Sequence, residues 1–276
     1  MITRILAAFW LMISVLNVSA QKCVEKKLSS ISKIVVADSV NVVLKHGIQN
    51  HIAIYGQPEA LRTFVSKQKQ GVLSIYQTTK GQVFASETPI VMEKNMDIDS
   101  VVISTAKWIE NISVSNGGTL RFCGQYTPRR LILRLSHDSK AYGNINCEAF
   151  GLYVETYAEA YISGQYRTAR ITADSSKVEL SGYQAEVSEF SVTGGSILSA
   201  SGSTHQLKLE VGGLSRVEAM EMKATNCTAN ISGRSDAFFN VTGQLKITGR
   251  GKSHIIVTGN PKTEADVSGD CKYGRR

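Results

Sequence analysis

Hydrophobic and polar residues alternate in short runs along most of the chain, as in "GLYVETYAEAYISG", residues 151–164. The runs are rich in Val, Ile, Thr and Tyr and are interrupted by Gly, Ser, Asp and Asn, which is typical of short β-strands joined by turns. One segment after residue 20 has helical spacing instead: "PEALRTFVSKQKQ", residues 58–70, begins with Pro58 and places Leu61, Phe64 and Val65 on one helical face. The pattern predicts an all-β protein with a short helical excursion near residues 58–70.

From about residue 130 the pattern repeats in units of about twenty residues. Each unit contains an alternating strand, a small polar turn, a second strand and then, in most units, a glycine. These glycines are Gly143, Gly164, Gly182 and Gly202, and the series resumes at Gly243 and Gly259. A fixed period in strand-forming sequence predicts a solenoid, because a single unit cannot bury its apolar face without neighbours stacked on it. Most turns carry single Gly, Ser or Asp residues and not the Asn-Gly pairs of hairpins, which favours coils over an antiparallel sandwich or barrel. We expect the recurrent Thr-Gly and Ser-Gly pairs to form coil corners.

The first twenty residues have the features of a secretory signal peptide. Arg4 precedes an apolar run that ends at about Val18, and Ser19 and Ala20 complete a small-residue cleavage pattern. No later run is long enough to cross a bilayer, so the sequence predicts no transmembrane span. We expect an exported protein in the periplasm, at the cell surface or outside the cell. Lys22 precedes Cys23, which disfavours lipid attachment at that cysteine but leaves it as an alternative.

The sequence therefore predicts three parts: a signal peptide at 1–20, a strand-rich N-terminal half at 21–130, and repetitive β-helical coils at 131–276.

Composition argues against several functional classes. The five cysteines include no CxxC pair and no neighbouring histidine in a zinc pattern, so we predict no metal site and no cofactor. An odd number leaves at least one thiol outside any internal disulfide. The formal net charge is +8, but no cluster of Lys and Arg is interleaved with aromatic residues. The sequence therefore predicts no nucleic-acid partner.

Two stretches carry a family resemblance. Residues 31–77 contain a strand pair, a "PE-x-L" turn into the helical segment and then "G-x-L-x-I", and residues 249–270 read "GRGKSHIIVTGNPKTEADVSGD". With the Ser-Gly units between them, they resemble the family "putative auto-transporter adhesin, head GIN domain", found mostly in Bacteroidetes. The resemblance implies a right-handed parallel β-helix in the cell envelope or outside the cell. It implies an adhesin-like role and assigns no functional residue.

The alternative to a binding protein is a β-helical polysaccharide lyase or hydrolase acting on acidic glycans. That chemistry needs clustered carboxylates, such as two acidic residues that flank the scissile bond. Glu155 and Glu179 are candidates for neighbours across coils, but surface charges on strands are the favoured interpretation. We predict no catalytic residue.

Tyrosines suggest a binding surface. Six of the ten in the chain fall within 42 residues, at Tyr142, Tyr153, Tyr157, Tyr161, Tyr166 and Tyr183. Tyr153, Tyr157 and Tyr161 share parity in an extended run, so we predict that they line one face, where aromatic rings stack on sugars or anchor an interface. Packing of these rings inside the coils is the alternative.

The predicted function is therefore non-catalytic, adhesin-like binding of a surface glycan or an extracellular matrix component along an extended β-helical face. Self-association into a homo-oligomer through coil ends or faces is a further possibility, because stacked strands leave exposed edges.

Overall fold

The computed structural model describes residues 22–77 and 98–276, and their strands join into a single sheet of twenty strands. The predicted signal peptide lies outside the described residues and stays a prediction. None of the helical structure in the described ranges has the length or hydrophobicity needed to cross a bilayer.

The N-terminal part contains nine strands and one helix. They are β1 (Lys22–Lys27), β2 (Lys33–Val36), β3 (Asn41–His46), β4 (His51–Gly56), α1 (Pro58–Thr63), β5 (Phe64–Lys69), β6 (Val72–Gln77), β7 (Ile98–Thr105), β8 (Asn111–Val114) and β9 (Thr119–Tyr126).

The C-terminal part contains eleven strands. They are β10 (Arg130–Leu135), β11 (Lys140–Ile145), β12 (Cys147–Glu155), β13 (Glu159–Asp174), β14 (Lys177–Thr193), β15 (Ile197–Val211), β16 (Arg216–Ile231), β17 (Asp236–Gly249), β18 (His254–Thr258), β19 (Lys262–Val267) and β20 (Lys272–Arg275).

Parallel pairing between successive coils forms the solenoid. Leu152 of β12 is in register with Ile171 of β13, which is in register with Phe190 of β14 and then with Leu209 of β15. Each of these steps advances 19 residues along the sequence and ~4.8 Å along the solenoid axis, the usual separation of paired strands. The stack has about 9 turns. The predicted parallel β-helix is confirmed.

The residues that point inward form continuous apolar columns. Ile171, Leu209 and Ile247 occupy the same coil position and are at most 1% exposed. Their neighbours above and below complete the burial of each side chain, so no coil forms this core alone. The predicted column of Val, Ile and Leu is thus present.

A column of buried serines follows the first corner of the coils. Its members are Ser139, Ser176, Ser196, Ser215, Ser235 and Ser253. In three of them the hydroxyl donates to the backbone carbonyl three residues earlier: Ser196 to Thr193 O (2.6 Å), Ser235 to Ser232 O (2.8 Å) and Ser253 to Arg250 O (2.6 Å). Each of these hydroxyls thus bonds to a carbonyl of the turn that precedes it and helps to fix the turn. They explain why a small hydroxylated residue recurs at this corner.

The glycine series lies at the bend where the chain passes from one face of the coil to the next: residues 159–163 pair with β11 and residues 166–174 with β12. Gly164 and Gly202 follow the second strand of each coil, where the register shifts between paired strands, and they have φ of 147° and 127°. A Cβ at Gly202 would lie 1.9 Å from Tyr183 O of the neighbouring coil. These glycines therefore permit close approach of two backbones at a β-bulge. The three Thr-Gly pairs also differ from one another, because Gly259 has φ of 86° whereas Gly243 and Gly249 do not have positive φ.

The N-terminal coils are stacked out of sequence order. β2 pairs with β6 on one side and β8 on the other, and β3 lies between β7 and β9. Three antiparallel pairings then cover the end of the stack: β5 on β6, β4 on β7, and β1 on β4. This arrangement pairs the strand edges of the first coil.

The predicted helical segment at 58–70 is only half helical. α1 ends at Thr63, Phe64 has extended φ and ψ of −75° and 132°, and β5 then pairs antiparallel with β6. Phe64 and Val65 favour a strand, and pairing with β6 outweighs the weak helical spacing. The second half of this segment is the strand β5, which covers the end of the stack.

Candidate functional site

The three tyrosines predicted to share a face lie on different parts of a coil. Tyr153 belongs to β12 and Tyr161 to β13. Between them Thr156 and Tyr157 have φ of 52° and 63°, so the chain turns a corner there. Tyr153, Tyr157 and Tyr161 would point to the same side only if residues 153–161 formed one extended strand, and the turn at 156–157 interrupts that strand. The expectation of a single tyrosine face is therefore wrong, whereas a binding role for these residues stays a prediction.

Tyr161 belongs to a ladder of stacked side chains. Its ring stacks on that of Tyr142 with centroids 5.1 Å apart and planes 4° from parallel. Arg121 covers the Tyr142 ring at 4.2 Å and Lys177 covers the Tyr161 ring at 5.3 Å. Because both ring faces are occupied, the ladder stabilises neighbouring coils and leaves no open face for a sugar. The Tyr161 hydroxyl donates to Glu159 (2.6 Å), and this bond is the main cause of the lowered pKa of that carboxyl.

Tyr153 and Tyr157 differ in exposure. Arg134 lies over the Tyr153 ring at 5.1 Å, and Tyr153 is half-buried. Tyr157 is 72% exposed and no ring or cation contacts it within the described residues. Of the three predicted residues, Tyr157 therefore offers the most accessible ring. Its positive φ is unusual for a bulky side chain and costs the fold some stability.

A broad concave surface lies elsewhere, on the first strand of the C-terminal coils. It encloses about 730 Å³ and runs across five successive coils between Val187 and Glu264. We call it the coil groove. Its first row contains Val187, Gln206, Asn226, Gln244 and Lys262, which are in register from coil to coil. Its second row contains Glu189, Lys208, Thr228, Lys246 and Glu264.

Ion pairs neutralise most of the charge in the second row. Lys208 lies 3.0 Å from Glu189 and 2.9 Å from Glu210, and Lys246 lies 3.1 Å from Glu264. Lys208, followed by Arg170, lowers the pKa of Glu189 by donating hydrogen bonds to its carboxylate. Both carboxylates of the row are therefore paired with cations.

The groove carboxylates are too far apart for glycosidase chemistry. Glu189 and Glu264 are separated by four coil steps, or roughly 19 Å at ~4.8 Å per step. Glycosidases place their two carboxylates about 5–10 Å apart. The other candidates do not form the expected pair: Glu155 is in register with Asp174, and Glu179 with Tyr161. Glu155 and Asp174 lie at the far end of the strand, outside the groove. The described residues contain no group of three or more metal-ligating side chains.

Comparison with known families agrees with the fold. The model of the family described as "Putative auto-transporter adhesin, head GIN domain" matches residues 31–197 and 175–261. The chain belongs to this family. The predicted resemblance is therefore confirmed, and the coil groove is a feature of a head GIN domain. No curated protein matches the chain.

Several solved structures share the head GIN solenoid. A putative adhesin from Parabacteroides distasonis superposes with a TM-score of 0.64 at 10% identity and covers 93% of this chain and 97% of its own. A putative adhesin from Parabacteroides merdae gives 0.60 at 11% identity, with 93% and 96% covered. A putative lipid binding protein from Parabacteroides distasonis gives 0.59 at 14% identity, with the same coverage. At identities this low, the superpositions establish a common fold and nothing further.

The groove was not predicted from the sequence. Its signal is the recurrence of an amide side chain at Gln206, Asn226 and Gln244, at intervals of 20 and 18 residues. Because the interval changes from coil to coil, these residues fall into one row only after the strands are paired.

Proposed function

We propose that this protein is an exported, non-catalytic, adhesin-like binding protein whose ligand, a glycan or a matrix component, lies in the coil groove. The observation that carries the proposal is the groove itself. It presents amides, hydroxyls and neutralised ion pairs across five coils, and Glu189 and the neighbouring Glu210 are both held by Lys208. The adhesin description of the family and the naming of solved neighbours as putative adhesins support binding over catalysis.

An array of glycans and host-matrix proteins probed with the purified protein tests this proposal, with released sugars measured in parallel. The blocking variant is Thr228→Arg, because Thr228 is exposed at the middle of the groove between Lys208 and Lys246. The control is Ser203→Arg, an exposed position of β15 that lies outside the groove.

We expect binding without sugar release, and at least a tenfold loss in Thr228→Arg but not in Ser203→Arg. Release of unsaturated or reducing sugars would favour the enzyme alternative. Absence of binding, or equal binding by the two variants, would overturn the proposal.

A further inference from the structure

The first row of the coil groove repeats one chemical group along the solenoid axis. Gln206, Asn226 and Gln244 occupy the same position in three successive coils and are ~4.8 Å apart along the axis. Val187 and Lys262 extend the row by one coil at each end. A ligand that contacts the whole row must therefore be linear and run along the axis, across the strands.

The amides of this row are available to a ligand. The Asn226 side-chain oxygen accepts a hydrogen bond from Gln244 N (3.2 Å), which fixes the amide and leaves its NH₂ group as a donor. The side chains of Gln206 and Gln244 are exposed and form no hydrogen bond within the described part of the chain. Each amide can donate and accept, a combination that suits hydroxyl groups.

The cations of the second row are already paired, whereas Lys262 at one end of the first row has no ion pair among the described residues. Lys208 and Lys246 are engaged by Glu189, Glu210 and Glu264, as described above. An anionic polymer would have to displace these carboxylates or lie next to them, and like charges repel. Over the coils that carry the three amides, where Lys208 and Lys246 are paired, the groove therefore favours an uncharged ligand.

A peptide strand fits the row poorly. An extended peptide rises ~3.3 Å per residue, so its groups would drift out of step with amides ~4.8 Å apart. The strands of the coils also run across the groove and offer no free edge along the axis for strand addition. A linear chain of sugar rings, in contrast, advances by a length close to one coil and presents hydroxyls at every ring.

From these observations we infer that the coil groove binds an uncharged, linear glycan that lies along the solenoid axis with one sugar ring per coil. This inference rests on the proposed function and specifies the ligand of the same groove.

A size-graded series of neutral linear oligosaccharides, two to eight sugars long, tests the inference by calorimetry. The probes are β-1,4-glucose, β-1,4-mannose and β-1,3-glucose oligomers, with hyaluronan oligomers as the acidic comparison. One amide–hydroxyl bond contributes about fivefold in affinity, so we expect at least one neutral series to tighten about fivefold per ring. The gain should stop at about three rings, because amides occupy three successive coils. The affinity should change less than about twofold between 50 and 500 mM salt, because a neutral oligosaccharide forms no ion pair with the protein.

The double variant Gln206→Ala/Gln244→Ala should lose about 25-fold, two bonds at fivefold each. Gln184→Ala is the matched control, because Gln184 is an equally exposed glutamine outside the groove. Far-UV circular dichroism confirms that both variants fold.

Three results would overturn the inference: no binding by any neutral series, tighter binding of hyaluronan with strong salt dependence, or equal losses in the two variants. Binding of another ligand that Thr228→Arg blocks would overturn the glycan inference and leave the proposed function standing. Failure of every ligand at the groove would overturn both.

Discussion

Gly202 and Gly182 allow the close stacking of coils to be tested by one methyl group. Both glycines follow the second strand of their coil, one coil apart, and both have positive φ, at 127° and 58°. A Cβ at Gly202 would lie 1.9 Å from Tyr183 O, whereas a Cβ at Gly182 would meet nothing within 4 Å. The two Gly→Ala changes therefore differ mainly in whether the methyl group meets the neighbouring coil.

The expected costs follow from these contacts. For Gly182→Ala, left-handed φ costs about 1–2 kcal/mol and the lost flexibility of the unfolded chain returns about 0.4–1 kcal/mol, for a net cost of about 1 kcal/mol. For Gly202→Ala, the less accessible φ costs about 1–3 kcal/mol, and displacing the adjacent backbone costs about 1–3 kcal/mol more. We expect a total near 4 kcal/mol.

Urea unfolding followed by far-UV circular dichroism measures both changes. The reasoning predicts a much larger drop in the midpoint for Gly202→Ala than for Gly182→Ala, with similar m-values. Equal drops would show that coil separation does not limit the side chain at Gly202, and would refute the close approach.

Three further predictions concern the corner, the thiols and the exposed tyrosine. Ser235→Ala should lower the free energy of unfolding by about 1 kcal/mol, because the Ser232 carbonyl loses the hydroxyl that donates to it. Ala158→Ser should raise the free energy of unfolding, because Ala158 is buried in the same column and has no hydroxyl. Chemical unfolding of both variants measures these changes, and opposite signs are required. Burial raises the pKa of the Cys227 thiol to about 12. At pH 8, Ellman's reagent should therefore label the exposed Cys123 rapidly and Cys227 only after the protein unfolds. Rapid labelling of Cys227 in the folded protein would contradict its burial. Tyr157→Gly should leave the stability measured by thermal unfolding unchanged or raise it by up to about 1 kcal/mol, because glycine adopts the left-handed conformation of residue 157 without strain. A loss of stability above about 1 kcal/mol would show that the exposed tyrosine ring packs on the fold.

The repeat could be predicted because each coil carries its own local signals. Alternation places Ile171 and Leu209 inward, and a polar turn precedes each second strand, so strand, turn and strand are all visible within twenty residues. The order of the N-terminal coils carries no such signal. β2 lies between β6 and β8 through pairing of residues 39 and 78 positions apart, such as Lys33 with Val72 and with Asn111. Pairing at that distance is decided by the assembled stack and not by local sequence.

The site was harder to predict than the fold for two physical reasons. Parity relates side chains only while the chain stays extended, and the left-handed pair Thr156–Tyr157 interrupts it between Tyr153 and Tyr161. Rows across coils depend on the length of each turn, and turns of different length hide the alignment of Gln206 with Gln244. The aromatic residues could be identified from the sequence, whereas the row of amides becomes visible only when the register between paired strands is known.

The most direct test of the account is a crystal structure of the protein with the neutral oligosaccharide that binds it most tightly. The account predicts density for a chain of sugar rings over Gln206, Asn226 and Gln244, parallel to the solenoid axis and advancing one ring per coil. Density at the Tyr157 corner alone, or a glycan lying along the strands, would contradict it.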